Sequence, residues 1–319
     1  MKQYQLILKA PRTSIEELVD TLENTIDELG LPMSFYEDVS EDNKGYSSHE
    51  EEETWAGEIK GSDLDADGNF IPWCLSVYCS EDDLHVLQGE ISNIIKTARP
   101  DLEMQCIEIE DRDWVSESLK NLAPVHAGRF IIHGSHDRDI IKPQDIAIEI
   151  NAGQAFGTGH HGTTAGCLDM LEATLKRRKF YNVLDLGTGS GVLAIALAKL
   201  AKVPILATDI DPIATKVTLD NAKLNGVQSF IDAVTSDGFK AVEISKRAPY
   251  DLIIANILAR PLSKMAAPLA RHLSANGVII LSGLLPHQKK AVVAAYRLQG
   301  LKLHHAYERD GWLTLVMNL

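Results

Sequence analysis

The segment YNVLDLGTGSGVLAIALAKL, residues 181–200, constrains the fold of this 319-residue chain more than any other. A short apolar run passes directly into Gly187, Gly189 and Gly191 and then into a longer apolar stretch. That order reads as a buried strand, a sharp turn and a helix. Glycine accepts the left-handed backbone such a turn requires, and it lets a ligand or a second chain segment come closer than a Cβ atom would allow. A strand followed at once by a helix is the repeating unit of a parallel sheet covered on both faces. The turn alone serves a ligand site or a tight strand–helix junction equally well.

The residues that follow continue the pattern. VPILAT is a second apolar strand, Asp211 caps the next helix with Pro212 in its first turn, and Gly226 closes that helix after Asn225. YDLIIAN, residues 250–256, reads as a buried strand with Asn256 at its carboxyl end, where open α/β sheets place their ligands. Strands expected at 277–282, 301–307 and 311–317 alternate with helices at 262–273 and 287–298. The second half is therefore expected to be an α/β domain built on a doubly wound sheet.

Asp209 lies 22 residues after Gly187, beyond the second strand. A carboxylate there accepts hydrogen bonds from both hydroxyls of a ribose, so turn and acid together point to an adenosine-bearing cofactor. The spacing is G-x-G-x-G, not the G-x-G-x-x-G of a dinucleotide site, and Asp185 just before it would repel a pyrophosphate. S-adenosylmethionine carries a sulfonium and an ammonium and no phosphate, which suits an acid at that place. Asp185, Gly187, Gly189 and Asp209 are its candidate contacts. Upstream, AFGTGHHGTT puts Phe156, Gly157, Thr158 and Gly159 in a stretch unsuited to regular structure, with Thr163 and Thr164 opening a helix. It is either a plain loop with a helix cap or a cover for the cofactor, in which hydroxyls bind the polar tail. His160 and His161 are adjacent and diverge, and no third ligand is suitably spaced, so no metal is expected. His126, His133 and His136 are expected to be ordinary polar or packing residues.

The charge divides the chain. The formal net charge is −14, yet residues 1–120 hold 29 Asp and Glu against 9 Lys and Arg, while residues 121–319 hold 16 against 22. An acidic first half is unsuited to gripping a phosphate backbone and suited to a basic partner. In it, YQLILK reads as a strand, and Ile15, Leu18, Val19, Leu22, Ile26 and Leu29 keep one face of a helix ended by Gly30. Strands near 33–39, 54–60, 73–79 and 105–110 and a helix over 81–97 complete a β-α-β-β-α-β order with one strand to spare, the ferredoxin-like pattern. The acidic stretch 37–53 has little to bury. DLDADG at 63–68 lacks the twelfth-position Glu of a calcium loop and is expected to be a turn. Residues 111–125 are expected to be a linker helix between a domain over 1–110 and another over 126–319. No apolar run reaches membrane-spanning length, and Cys74, Cys79, Cys106 and Cys167 lack disulfide or metal spacing, so a cytoplasmic protein with buried, reduced thiols is expected.

AFGTGHHGTT, VLDLGTGSGVLAIA, ATDIDPIA, NAKLNG, IIANILARPL and ILSG, in this order, resemble the ribosomal protein methyltransferase family that modifies protein eleven of the large subunit. The resemblance is dense over roughly 110–319. It implies a seven-stranded, doubly wound (Rossmann-like) S-adenosylmethionine-dependent methyltransferase domain preceded by a ferredoxin-like α+β substrate-recognition domain. It also implies cofactor contacts at Thr164, Gly187, Asp209 and Asn256, and methylation of the amino terminus and lysine side chains of that basic protein. Many members have Thr-His-Pro after the glycine loop, where this chain has His160, His161 and Gly162.

The implied reaction is displacement of a sulfonium methyl by a neutral amine. Near pH 7.5 a lysine with pKa ~10.4 costs about 4 kcal/mol to deprotonate, and an α-amine of ~7.7–8 under about 1 kcal/mol. Asn256 is the candidate catalytic residue, its side-chain carbonyl accepting a bond from the amine and orienting it. A nucleic-acid N-methyltransferase would place an aromatic ring after this asparagine, where the chain has Ile257, Leu258 and Ala259. That alternative, a dehydrogenase with the wrong glycine spacing, and a non-enzymatic ribosome-assembly binder are the weaker readings. A monomer without direct nucleic-acid contact is expected.

Overall fold

The computed structural model describes residues 3–10, 15, 18, 21, 22, 33–37, 73–97, 103–109, 124–150 and 162–319. The chain divides into two compact units, Met1–Trp114 and Val115–Leu319. Among the described residues no helix is long and apolar enough to cross a membrane.

In the first unit, β1 (Gln3–Ala10), β2 (Met33–Glu37), β3 (Trp73–Ser80) and β4 (Glu103–Ile109) form an antiparallel sheet in the order β2-β3-β1-β4. Helix α1 (Glu81–Thr97) begins where the Ser80 hydroxyl accepts the Asp83 N–H at 3.3 Å, and it buries Leu84, Leu87 and Ile91 on one face. Ile15, Leu18 and Leu22 are helical and buried, as their spacing requires. The expected strand over 54–60, the turn at 63–68 and the linker from 111 to 123 lie outside the described residues, as does most of the acidic stretch. Val125, the last residue of the expected linker helix, is instead a strand residue opposite Ile132. The thiols are not uniformly buried: Cys106 is exposed because β4 is an edge strand whose residues 105–108 all face solvent, while Cys74, Cys79 and Cys167 are buried.

The second unit opens with a small sheet that sequence periodicity does not reveal. β5 (Val125–Ala127) and β6 (Phe130–His133) form a hairpin, and β7 (Ile146–Glu149) lies parallel to β6. The main sheet has seven strands in the order β10-β9-β8-β11-β12-β14-β13. Five are parallel: β8 (Val183–Leu186), β9 (Ile205–Asp209), β10 (Ile231–Thr235), β11 (Tyr250–Asn256) and β12 (Leu273–Leu284). β13 (Lys302–Arg309) and β14 (Trp312–Asn318) close the sheet as an antiparallel hairpin. Between them run α2 (Gly162–Leu175), α3 (Val192–Ala201), α4 (Pro212–Leu224), α5 (Val242–Arg247), α6 (Ala259–Lys264), α7 (Ala266–His272) and α8 (Lys289–Arg297).

Two cores explain the continuous apolar strands. In β11, Leu252 and Ile254 join the core under α2, α3 and α4, while Ile253 and Ala255 join the core under α6, α7 and α8. The helix expected over 262–273 is two short helices, because Pro268 has no N–H to offer the Lys264 carbonyl. β12 starts earlier than expected, since Leu273 already pairs with Tyr250 ahead of a register shift. Ile254→Ala is expected to lower the unfolding free energy by about 2–5 kcal/mol. Val242→Ala, at a side chain 55% exposed, should change it by less than about 0.5 kcal/mol. Urea denaturation measures both, and equal shifts would contradict the burial of Ile254 in the core.

Candidate active site

The carboxyl ends of β8, β9 and β11 meet at the glycine turn. Gly187 adopts φ +75°, and a Cβ there would overlap the Ile257 side chain that follows β11. Gly191 adopts φ +86° at the start of α3, and its Cβ would come within 3.2 Å of the Thr218 Cα on α4. Close packing against two neighbours therefore requires glycine at both positions. Gly189 lies between them.

The neighbouring strand holds this turn from below. The Thr208 carbonyl accepts N–H bonds from Gly187 at 2.8 Å and Thr188 at 2.9 Å. Asp209 Oδ2 accepts the Gly189 N–H at 2.8 Å, and its Oδ1 accepts the Asp211 N–H at 3.1 Å. Burial raises the Asp209 carboxyl above its ordinary value, opposed by backbone N–H groups of Asp211 and Gly189. Asp209 thus shapes the turn as well as presenting a carboxylate beside it, a second duty absent from the sequence reading.

A polar stripe on α4 holds the turn from the side. Thr218 Oγ1 donates to the Gly189 carbonyl at 3.0 Å, and Asn221 Nδ2 donates to the Ser190 carbonyl at 2.8 Å. One turn further on, Asn225 grips β7 through both backbone groups of Glu149, accepting its N–H at 3.0 Å and donating to its carbonyl at 2.6 Å. These positions lie three and four residues apart, on one helix face. They give the NAKLNG segment a physical role beyond closing a helix.

Asp185, inside β8, is fully buried. Its Oδ2 accepts the Thr188 hydroxyl at 2.8 Å and the Ala194 N–H at 3.2 Å, in the first turn of α3. Its Oδ1 has no hydrogen-bond partner among the described residues. Burial pushes the carboxyl up to about 7, the bonds from Thr188 and Ala194 restraining it. An acid held so deep with one oxygen unsatisfied is matched by a cationic ligand that can donate a hydrogen bond.

Asn256 ends β11 directly after the Ala255 pairing with Leu186, next to Gly187. Its Nδ2 donates to Thr163 Oγ1 at 3.4 Å and Thr164 Oγ1 at 3.3 Å, both buried in the first turn of α2. Residues more than 90 apart in sequence thereby form one polar cluster. Of the candidate residues, the structure assembles Thr164, Asp185, Gly187, Gly189, Asp209 and Asn256, and Phe156, Gly157, Thr158, His160 and His161 lie outside the described residues. Ile210, overlooked in the sequence, is 69% exposed immediately after Asp209. An apolar residue between two acids, in ATDIDP, was the available signal. His133 is buried with Nδ1 2.8 Å from the Gly134 carbonyl, and no cluster of three metal-ligating side chains occurs among the described residues.

Known proteins share this sequence and architecture. The family model described as ribosomal protein L11 methyltransferase (PrmA) matches residues 4–319. A protein of Rhizobium johnstonii named ribosomal protein L11 methyltransferase is 53% identical over 245 residues, covering 76% of this chain and 83% of its own length. One of the same name from Rhizobium meliloti is 53% identical over 243 residues, covering 76% and 84%. The crystal structure of a ribosomal protein L11 methylase from Lactobacillus delbrueckii subsp. bulgaricus superposes with a TM-score of 0.55 at 27% identity, over 62% of this chain and 98% of that one. With a family model spanning all but its first three residues, the chain belongs to the ribosomal protein L11 methyltransferase family.

Proposed function

We propose that this protein is a cytoplasmic S-adenosylmethionine-dependent N-methyltransferase that modifies the amino terminus and lysine side chains of ribosomal protein L11. Membership of the family supports the substrate. The buried Asp185 carboxylate, with one oxygen unpartnered among the described residues, carries the cofactor reading. A phosphate-bearing cofactor would meet repulsion at that point, whereas an ammonium satisfies it. Asp209 has acceptor capacity left for ribose hydroxyls beyond its two backbone bonds, and the exposed Ile210 offers an apolar surface for the adenine ring. Gly187 and Gly189 are proposed cofactor contacts through the turn they form, and Thr164 joins them from α2. Phe156, Gly157 and Thr158 complete the proposed set.

When bound, S-adenosylmethionine supplies an electrophilic methyl for displacement by a neutral amine. Asn256 orients that amine. Its Nδ2 is committed to the Thr163 and Thr164 hydroxyls, which leaves Oδ1 as the acceptor for an amine N–H. Holding the lone pair in line contributes through proximity and orientation. The first unit is proposed as the substrate-recognition domain, over 1–110, joined by a linker to the catalytic domain over 126–319. Its β2-β3-β1-β4 antiparallel order supports a ferredoxin-like reading, and the 29 acids in residues 1–120 suit a basic ribosomal protein.

Incubation of the protein with S-adenosylmethionine and purified L11 should yield methylated amines that mass mapping locates. Asn256 is also a proposed cofactor contact, so transfer is read at saturating S-adenosylmethionine, where Asn256→Ala should slow it by about 100-fold or more while the thermal midpoint changes far less. Near-normal turnover would exclude the orienting role. Raising salt from about 0.05 to about 0.5 M should increase KM for L11 and leave cofactor affinity nearly constant, because screening acts on the attraction between the acidic first half and a basic substrate.

Asp185 predicts a pH dependence. Its folded value lies above its ordinary 3.8, so its contribution to stability is full below that value and is lost as pH rises through about 7. Cofactor affinity should move the other way, rising with pH up to about 7 as the carboxylate ionises. Asp185→Asn should flatten both slopes and weaken cofactor binding about tenfold or more near pH 8. Calorimetric titration across this range measures it, and an unchanged affinity profile in the variant would remove Asp185 from the site.

A further inference from the structure

The positive charge of the second unit is concentrated in one block. From Leu252 to Tyr307 the chain has seven Lys and Arg and no Asp or Glu, whereas the rest of residues 121–319 has 15 Lys and Arg against 16 Asp and Glu. The block forms most of β11, then α6, α7, β12, α8 and most of β13. Because α6, α7 and α8 all pack on the same side of the sheet, these three helices present an outer surface to which they contribute no acid; α5, which packs on that side and meets α7 through Ser245 and His272, brings Glu243 to its edge. Lys264, Arg271, Lys290, Arg297 and Lys302 are exposed and Lys289 is half-buried. Among the described residues none of these six forms an ion pair with an acid, whereas Arg129, Arg138, Lys223, Lys240 and Arg247 elsewhere in the unit each meet a carboxylate.

A groove of about 660 Å³ lies along α8 beside β13, lined by Lys289, Lys290, Val293, Arg297 and Leu303 among others. Lys289 and Arg297 stand about 12 Å apart along the α8 axis. Lys289, Lys290 and Arg297 therefore spread positive charge along the length of α8, which suits a chain of repeated negative charges. We propose that this face binds the phosphate backbone of RNA, without reading base sequence, as a surface separate from the methyl-transfer site. An acidic protein is the other anionic partner of this general kind. Protein interfaces, however, are depleted in lysine and built around apolar and aromatic anchors. Four of the six cations here are lysines, and Leu298 is the one strongly exposed large apolar residue of the block among those described. The acidic first half opposes any polyanion, but with a Debye length of about 10 Å at 0.1 M salt that opposition is confined to charges close to the bound strand.

The test uses the full chain and a fluorescently labelled oligouridylate, followed by anisotropy from about 50 to about 200 mM salt. Binding should weaken linearly on logarithmic axes, with a slope near −0.7 for each phosphate neutralised. The variant Lys289→Glu/Lys290→Glu/Arg297→Glu should bind about tenfold or more weakly at the low-salt end and lose about 2–3 from the magnitude of the slope. Its methyl transfer to free L11 and its thermal midpoint should match the parent. Absence of salt-dependent binding by the parent, or equal binding by parent and variant, would overturn the proposal. So would polyglutamate binding the same residues as tightly as RNA, which would make the face a site for acidic proteins.

Discussion

The clasp between the end of β9 and the glycine turn after β8 determines where every other group of the site lies. Thr208 and Asp209 use a main-chain carbonyl and a carboxylate to take up three consecutive N–H groups, those of Gly187, Thr188 and Gly189. A turn this tight cannot pair its amides within itself, and strand β9 supplies their acceptors. Once the turn is held, α3 starts at a fixed angle, its first-turn amide reaches Asp185, and Ile257 after β11 packs over Gly187. Asn256 is then beside the turn because β11 pairs with β8, without any direct bond between them.

The same sheet explains why charge matters more by place than by sum. Asp185 occupies a strand interior that is otherwise apolar, and its full burial is the dominant influence on its carboxyl. Such an acid is costly without a cationic partner, which makes it informative about the ligand. On the outer surface of the α6–α8 layer the reverse holds: exposed cations cost little individually, and their effect comes from lying together with no acid between them.

Much of the second unit was legible because its physics is local. A strand buried on both faces must be apolar throughout, a sharp turn must be glycine, and a helix must begin with a cap, so VLDLGTGSG, Asp211-Pro212 and YDLIIAN each announce one element. The small sheet β5–β7 escaped because three- and four-residue strands have no measurable period, and α6 and α7 were merged because their apolar spacing runs on across the break that Pro268 causes. Cys106 is exposed where its residue type suggests burial, because residue type predicts burial only on average and the edge strand β4 is open to solvent on both faces over residues 105–108.

By itself the sequence determined the doubly wound α/β class, the glycine turn, and the acids and asparagine of the candidate site, since each is dictated by neighbours within about one turn or one strand. The tertiary structure alone decided that Thr163 and Thr164 meet Asn256, that Asn221 and Asn225 brace the turn and β7, and that one oxygen of Asp185 is unsatisfied among the described residues. It also decided that α6, α7 and α8, drawn from one stretch without an acid, lie together on one side of the sheet. The reason is strand order: a parallel sheet places distant segments side by side through crossovers, and no local pattern records which strand will be the neighbour.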